Sequence, residues 1–195
     1  MNNGIINSFP KNYITEIFSA LEFASIKHRR QKRKGSSGIP YINHPVKVTH
    51  LLLRKLDTPS KEIIIAALLH DTLEDTKTLP EEIENLFGDK VLRLVQEVTD
   101  DMSLSSRVRK NLQIDKAGNL STEAGWIKIA DKTSNILDIL TTRINWTRSR
   151  KIAYIEWAIK VIHRIRDKHP GLIEEFKGAV TEAETILQYK FKPEF

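Results

Sequence analysis

The sequence predicts an all-α fold, a compact multi-helix architecture with no significant sheet, and three observations predict it. Apolar residues recur at spacings of three and four in one stretch after another, the mark of amphipathic helices. No run alternates apolar and polar residues with the period of two that a half-buried strand requires. Helix-starting residues (Ser, Thr, Asp) and helix-stopping residues (Gly, Pro) punctuate the apolar stretches at short intervals. There is no internal repeat, low-complexity tract or linker long enough to divide the chain, so a single domain is expected across residues 1–195.

From Tyr13 to Arg30 the positions Ile14, Ile17, Phe18, Leu21 and Ala24 form one helical face. A basic run from Lys27 to Lys34 comes next, whose ordinary reading is a solvated helix end favoured by the negative C-terminal dipole. It leads into Gly35-Ser36-Ser37-Gly38, a permissive loop able to approach a ligand closely. Pro45 suits the first position of the next helix, which puts His44 at a helix start and gives Val46, Val48, Leu51, Leu52 and Leu53 as its buried side. Thr58-Pro59-Ser60 should cap a helix carrying Ile63 to His70. Thr78-Leu79-Pro80-Glu81 reads as a capping box for a helix over Ile83 to Phe87, closed by Gly88, and Asp89 as the cap of Val91 to Thr99.

Asp100-Asp101 is expected to cap the next helix or else to orient basic residues near the site, yet the pattern weakens from Ser103 to Lys116, where Arg107, Arg109 and Lys110 suggest a basic helix ended by Gly118-Asn119. A longer helix from about Thr122 to Leu140 turns Trp126, Ile129, Ala130, Ile136, Leu137 and Leu140 inward. Asp131 and Asn135 stand four apart among them on one face. Two further helices are marked by Tyr154 to Ile165, ended at His169-Pro170, and by Leu172 to Leu187. Trp126, Trp157 and Phe176 fall at core spacing, and His28, His50, His163 and His169 read as surface or satisfied core histidines.

With 195 residues and 40% hydrophobic content, the chain can bury a core without staples. It has no cysteine, which excludes a disulfide framework, a thiolate zinc site and a cysteine nucleophile, and fits a reducing, cytoplasmic setting. Any metal must be held by His, Asp and Glu. The polar opening from Met1 to Lys11 does not resemble a signal peptide, and no apolar run approaches the roughly 20 residues of a membrane helix. The formal charge of +6 points to an anionic partner such as a nucleotide, nucleic acid or phosphate.

The chemistry concentrates in His70-Asp71-Thr72-Leu73-Glu74-Asp75, directly after the apolar run from Ile63 to Leu69. On a continuing helix His70 would sit over Glu74 and Asp71 over Asp75, gathering an imidazole and three carboxylates in one region. The carboxylates repel one another and lie at the negative end of the helix, an arrangement that a bound cation would relieve. Alone, a His-Asp pair at a helix end with solvated carboxylates after it would be unremarked.

Together with His44 and Asp131, however, His70-Asp71 completes a His, His, Asp, Asp set that resembles the HD superfamily of metal-dependent phosphohydrolases. Arg33-Lys34, Pro40-Tyr41-Ile42-Asn43-His44-Pro45, His70 to Asp75, Glu97-Val98-Thr99-Asp100-Asp101 and Lys128-Ile129-Ala130-Asp131-Lys132 are similar to the hydrolase domain of RelA/SpoT proteins. The likeness covers roughly residues 13–180 and leaves no room for synthetase or regulatory domains, as in stand-alone small alarmone hydrolases.

The resemblance implies a (p)ppGpp hydrolase that removes pyrophosphate from the ribose 3′ position with one manganese ion. It implies His44, His70, Asp71 and Asp131 as metal ligands and Glu74 and Asp75 as the residues that position and activate water. Arg33 matches a base-stacking arginine, Lys34 its basic neighbour, Asn135 a nucleotide-contacting asparagine and Arg150 a phosphate-binding arginine, with Tyr41 lining the pocket. Two positions depart from the pattern. The Gly35–Gly38 loop is longer than in the large bacterial enzymes, and Thr133-Ser134 replaces a bulkier pair.

The residue types suit this chemistry on general grounds too: a divalent ion polarises a phosphoryl oxygen and activates water, and nearby carboxylates accept the proton. Zinc or iron suits the imidazoles, and manganese or magnesium the oxygen donors. A second enzyme reading keeps the metal and changes the substrate, for example to the 2′-phosphate of NADPH. A non-catalytic module binding alarmone or nucleic acid would explain the basic run but not Glu74 and Asp75 beside the ligand set, so nucleic acid is disfavoured as a partner.

Overall fold

The computed structural model describes residues 11–33, 38–141 and 144–192. Among them are ten helical segments: α1 (Lys11–Lys27), α2 (Asn43–Lys55), α3 (Lys61–Leu69), α4 (Thr72–Asp75), α5 (Pro80–Phe87), α6 (Asp89–Val98), α7 (Ser106–Ala117), α8 (Thr122–Thr141), α9 (Arg148–Arg164) and α10 (Pro170–Leu187). The one pairing of extended backbone among the described residues is an isolated antiparallel bridge between Lys32 and Pro40. The all-α expectation holds.

Two helices make the centre. In α3 every residue from Ile63 to Leu69 is buried, which is why its sequence carries no polar stripe. α8 is buried nearly all round and packs against α2, α3, α6, α9 and α10. Its inner face is therefore wider than the stripe from Trp126 to Leu140 suggests, and it takes in Lys128, Asp131, Lys132, Thr133, Ser134 and Asp138. Gly125 permits close approach at its start, since a Cβ there would lie 3.0 Å from Ile165 Cγ2. α1 lies on α3, α5 on α6, and α7 on α9.

Several local expectations need correction. α2 begins at Asn43, two residues before Pro45, and buries His44, Pro45, Val48, Thr49, Leu51 and Leu52, while Val46 is 41% exposed. Ser60 caps α3 as expected, its hydroxyl accepting from the Ile63 amide. The start of α5 is shifted by one residue: Leu79 holds the cap position and the Glu82 carboxylate accepts from its amide, while Thr78 pairs with the Thr76 hydroxyl. Gly88, at φ 87°, occupies the junction for which the sequence predicts Asp89 as the cap, and Asp89 instead pairs with Arg93 one turn along. α7 is capped by Ser105, whose hydroxyl accepts from the Val108 amide, which frees Asp100 and Asp101 for other contacts. No helix among the described residues is long and apolar enough to cross a membrane.

Candidate active site

The helix α3 does not run through His70. It ends at Leu69, and the single turn α4 restarts at Thr72, whose hydroxyl donates to the Leu69 carbonyl at 2.6 Å. His70 closes one segment and Asp71 opens the next. Residues adjacent in sequence, which a continuous helix would point about 100° apart, can therefore face the same point.

That point is shared by His44 from the first turn of α2 and Asp131 from the middle of α8. His44 Nε2 lies 3.1 Å from Asp131 Oδ1 and 3.6 Å from Asp71 Oδ2, and His70 Nε2 lies 3.0 Å from Asp71 Oδ2 and 3.9 Å from Asp131 Oδ1. One nitrogen or oxygen each from His44, His70 and Asp131 falls within 4.8 Å of the others, and all three residues are buried. Each imidazole is held from behind: His70 Nδ1 donates to the Ala67 carbonyl at 2.8 Å, and His44 Nδ1 meets the Ser134 hydroxyl at 3.2 Å.

With Nδ1 held by the Ala67 carbonyl, His70 turns its Nε2 towards the centre. That buried nitrogen has no hydrogen-bond partner, because Asp71 Oδ2, although 3.0 Å away, is not aligned for one. Two imidazole nitrogens and carboxylate oxygens gathered at one buried point, one of the nitrogens left without a hydrogen-bond partner, fit a divalent metal ion.

The electrostatics of the group follow from burial against mutual attraction. Burial and the nearby Arg33 guanidinium lower the His44 pKa, against the pull of Asp131. At His70 burial acts downwards, but Asp71 and Asp131 outweigh it and push the imidazole up to about 9. Burial acts upwards on the Asp71 carboxyl, yet His70 and His44 hold it well below the carboxylate range; Lys132 and the two histidines do the same for Asp131. The buried Lys132 ammonium lies 3.0 Å from Asp131 Oδ2.

Glu74 and Asp75 stand beside the group without joining it. The Glu74 carboxylate accepts from the Asp100 amide at 3.0 Å, and burial together with Asp71 pushes its carboxyl up to about 7. Asp75 accepts from the Gln31 side-chain amide at 2.8 Å. The Tyr41 hydroxyl donates to Asp71 at 2.7 Å, and burial and that carboxylate keep it protonated.

Arg33 and Tyr41 are brought together by the Lys32–Pro40 bridge, in which the Arg33 amide donates to the Ile39 carbonyl and the Tyr41 amide to that of Gln31. The Arg33 guanidinium rests 5.4 Å from the Tyr41 ring centre and grips Asp138 with Nε at 3.1 Å and Nη2 at 2.9 Å. Arg33 Nη2 also donates to Asn135 at 2.6 Å, and Lys47 reaches the other Asp138 oxygen at 2.6 Å. Arg33, Tyr41, Asn135 and Asp138 line one cleft of about 380 Å³ with the histidines and carboxylates of the group. Its far wall is an aromatic ladder of Trp146, Tyr154 and Trp157, with Arg150 4.2 Å over Trp146, Lys132 4.5 Å over Trp157 and Lys110 5.1 Å over Trp157.

Known proteins share this fold and much of the sequence behind it. The profile described as "HD domain" matches residues 20–153. The chain belongs to the HD domain family. It is 41% identical over 163 residues, 83% of this chain and 91% of the relative, to guanosine-3′,5′-bis(diphosphate) 3′-pyrophosphohydrolase MESH1 of Homo sapiens. It is also 32% identical over 176 residues to the bifunctional (p)ppGpp synthase/hydrolase SpoT of Escherichia coli, covering 87% of this chain and 24% of that one. Among solved structures it superimposes with a TM-score of 0.83, at 36% identity, on a metazoan SpoT ortholog described as hydrolysing ppGpp, covering 89% of this chain and 97% of the other.

In this HD domain every residue singled out from sequence, His44, His70, Asp71, Asp131, Glu74, Asp75, Arg33, Tyr41, Asn135 and Arg150, lines the one cleft, except Lys34, which lies outside the described residues. Sequence reading missed the places of Asp138, Lys132 and Lys110 in the cleft, and Trp157, which packs against the core as expected, also faces the cleft. A signal for Asp138 existed: Asp131, Asn135 and Asp138 stand at i, i+4 and i+7, on one face of the helix. Asp100 has a role beside the site rather than as a cap, fixing Glu74 through its amide and Gln113 through its carboxylate at 2.6 Å.

Proposed function

We propose that this HD domain is a metal-dependent guanosine-3′,5′-bis(diphosphate) 3′-pyrophosphohydrolase, converting ppGpp and pppGpp to GDP and GTP with release of pyrophosphate. One observation carries the reading. Buried donors of His44, His70 and Asp131 converge at the floor of a cleft walled by cations, in a chain that aligns with nine tenths of the human pyrophosphohydrolase. A free nucleotide substrate fits a cytoplasmic setting.

His44, His70, Asp71 and Asp131 are assigned as the holders of one manganese ion, a mixed nitrogen and oxygen set that suits this metal. When bound, the ion supplies a Lewis acid for the phosphoryl group and favours ionisation of water. The remaining work falls to the chain. Hydrolysis breaks the bond between ribose O3′ and phosphorus, takes one proton from water and delivers one to O3′. Glu74, whose carboxyl sits at about 7, can both accept and return a proton near neutral pH. Asp75, on the same short turn, orients the water with it.

Arg33 offers a guanidinium plane, fixed by Asp138 and backed by Tyr41, for a base to stack on, with Lys34 as its basic neighbour. Asn135 contacts the nucleotide, and Arg150 on the far wall meets phosphate. The test is incubation with ppGpp and Mn²⁺. GDP and pyrophosphate should appear, stop on chelation and resume on restoring the metal. Unchanged ppGpp, or turnover indifferent to chelation, would overturn the reading.

A further inference from the structure

Behind Asp75 lies a buried group that the proposed hydrolysis does not use. His28, just past the end of α1, is 2% exposed, and its Nε2 has no hydrogen-bond partner. Its ring lies against Tyr41, with centres 4.8 Å apart and planes 31° from parallel. Its Nδ1 meets Gln31 Oε1 at 2.6 Å, and the other end of that carboxamide, Nε2, donates to Asp75 Oδ2 at 2.8 Å. A buried ring with an unpartnered nitrogen is a poor packing group beside Phe or Leu, so its polar contact calls for an explanation.

A carboxamide has nearly the same shape in either of its two orientations, but opposite chemistry. With its oxygen towards Asp75, Gln31 would set an acceptor against a carboxylate. With its amide there, it holds Asp75 and needs a donor at the other end. His28 Nδ1–H is that donor, and its ring is kept in plane by Tyr41, whose hydroxyl in turn donates to Asp71. Asp75 is itself exposed at the end of a four-residue turn, where a carboxylate without such a donor would swing into solvent.

We propose that Gln31 is a positioning residue for Asp75, and that His28 sets the orientation of its carboxamide, so that an orientation relay from α1 aims the carboxylate at the attacking water. The relay rests on the catalytic role proposed for Asp75. It moves no proton; it keeps one carboxylate in place.

The test uses the full chain loaded with Mn²⁺, with helical circular dichroism and metal content checked for each variant. Gln31→Met keeps length and loses the donor, so kcat should fall about 10- to 100-fold, the scale of a small misplacement in a reacting geometry, with KM and metal content unchanged. His28→Phe keeps the stacking and should fall by a similar factor. His28→Asn, whose side-chain N–H can take the place of Nδ1–H, should recover most of the rate. Because the two residues act as one chain, the double variant Gln31→Met/His28→Phe should be no slower than the worse single one.

Wild-type kcat in Gln31→Met alongside an impaired Asp75→Asn would overturn the relay, and so would single losses that multiply in the double variant. Equal rates in His28→Asn and His28→Phe would overturn the part given to His28. Full kcat in Asp75→Asn would overturn the role of Asp75 itself, and the relay with it.

Discussion

The floor of the cleft and its far wall use charge in opposite ways. On the floor, Asp131 is gripped by Lys132 and faces two histidines, and Asp71 lies beside His70 and accepts from Tyr41, all on helices α2, α3 and α8 or the turns that adjoin them. On the far wall, Lys110 and Arg150 lie against aromatic faces, and like charge from Arg150 and Lys132 adds to burial in lowering the Lys110 pKa. A floor of matched charges is rigid and suits chemistry that tolerates no misplacement. A wall of crowded cations is neutralised when an anionic ligand arrives, and suits recognition. The difference teaches that reaction and selectivity are separable here, and kinetics can read the separation.

The largest effect should come from the floor. Asp131→Asn replaces an anionic donor with a weaker neutral one, so metal binding should weaken at least about 100-fold and turnover collapse while helical content persists. Elemental analysis beside circular dichroism checks both halves. Full occupancy with normal turnover would remove Asp131 from the site.

Next comes Glu74→Gln, expected to keep metal and substrate binding while kcat drops about 10²- to 10⁴-fold. Its carboxyl also carries a stability signature. Raised from 4.5 to about 7, it binds a proton more tightly in the folded than in the unfolded chain. Stability should therefore fall as pH rises through that window, with the loss complete above it. In metal-free protein, Glu74→Gln should melt above wild type at pH 8 and lose that advantage at pH 4. A melting temperature below wild type at pH 8 would contradict the burial of this carboxyl.

A smaller effect is expected where floor and wall meet. Arg33→Ala removes the stacking contact proposed for the base, one made equally in ground and transition states, and Asp138→Asn loosens the same guanidinium. Each should raise KM about 10-fold and spare kcat. A KM unchanged in Asp138→Asn but raised in Arg33→Ala would show that Tyr41 and Asn135 suffice to hold the arginine.

The smallest effect should lie on the wall itself. Trp146→Leu removes the face under Arg150, worth about 0.5–1 kcal/mol, so KM should rise about 2- to 5-fold. A kcat loss there as deep as that of Glu74→Gln would abolish the distinction between the two regions.

The fold is legible in the sequence wherever a helix has one wet face. α9 and α10 announce themselves, whereas α8, buried nearly all round, shows only part of its inner surface as an apolar stripe. The metal group is legible through the resemblance of His44, His70-Asp71 and Asp131 to the HD pattern, since a His-Asp pair alone says little. What the spacing cannot carry is the break after Leu69, which depends on the Thr72 hydroxyl satisfying a carbonyl, or a partnership such as Arg33 with Asp138, which are 105 residues apart in sequence. Helix caps shift by a residue for a similar reason: several nearby polar groups compete for the same amides, and packing chooses between them.

The bridge between Lys32 and Pro40 has a consequence for how such an enzyme can diverge. It clamps the stem of the segment between them, so that Arg33, one residue inside the bridge, and Tyr41, one residue outside it, are fixed by backbone hydrogen bonds. Residues can be inserted into or deleted from the intervening stretch without moving either side chain, because loop length costs little once the ends are tied. Length variation at this point is thus uncoupled from the placement of Arg33 and Tyr41 in the cleft.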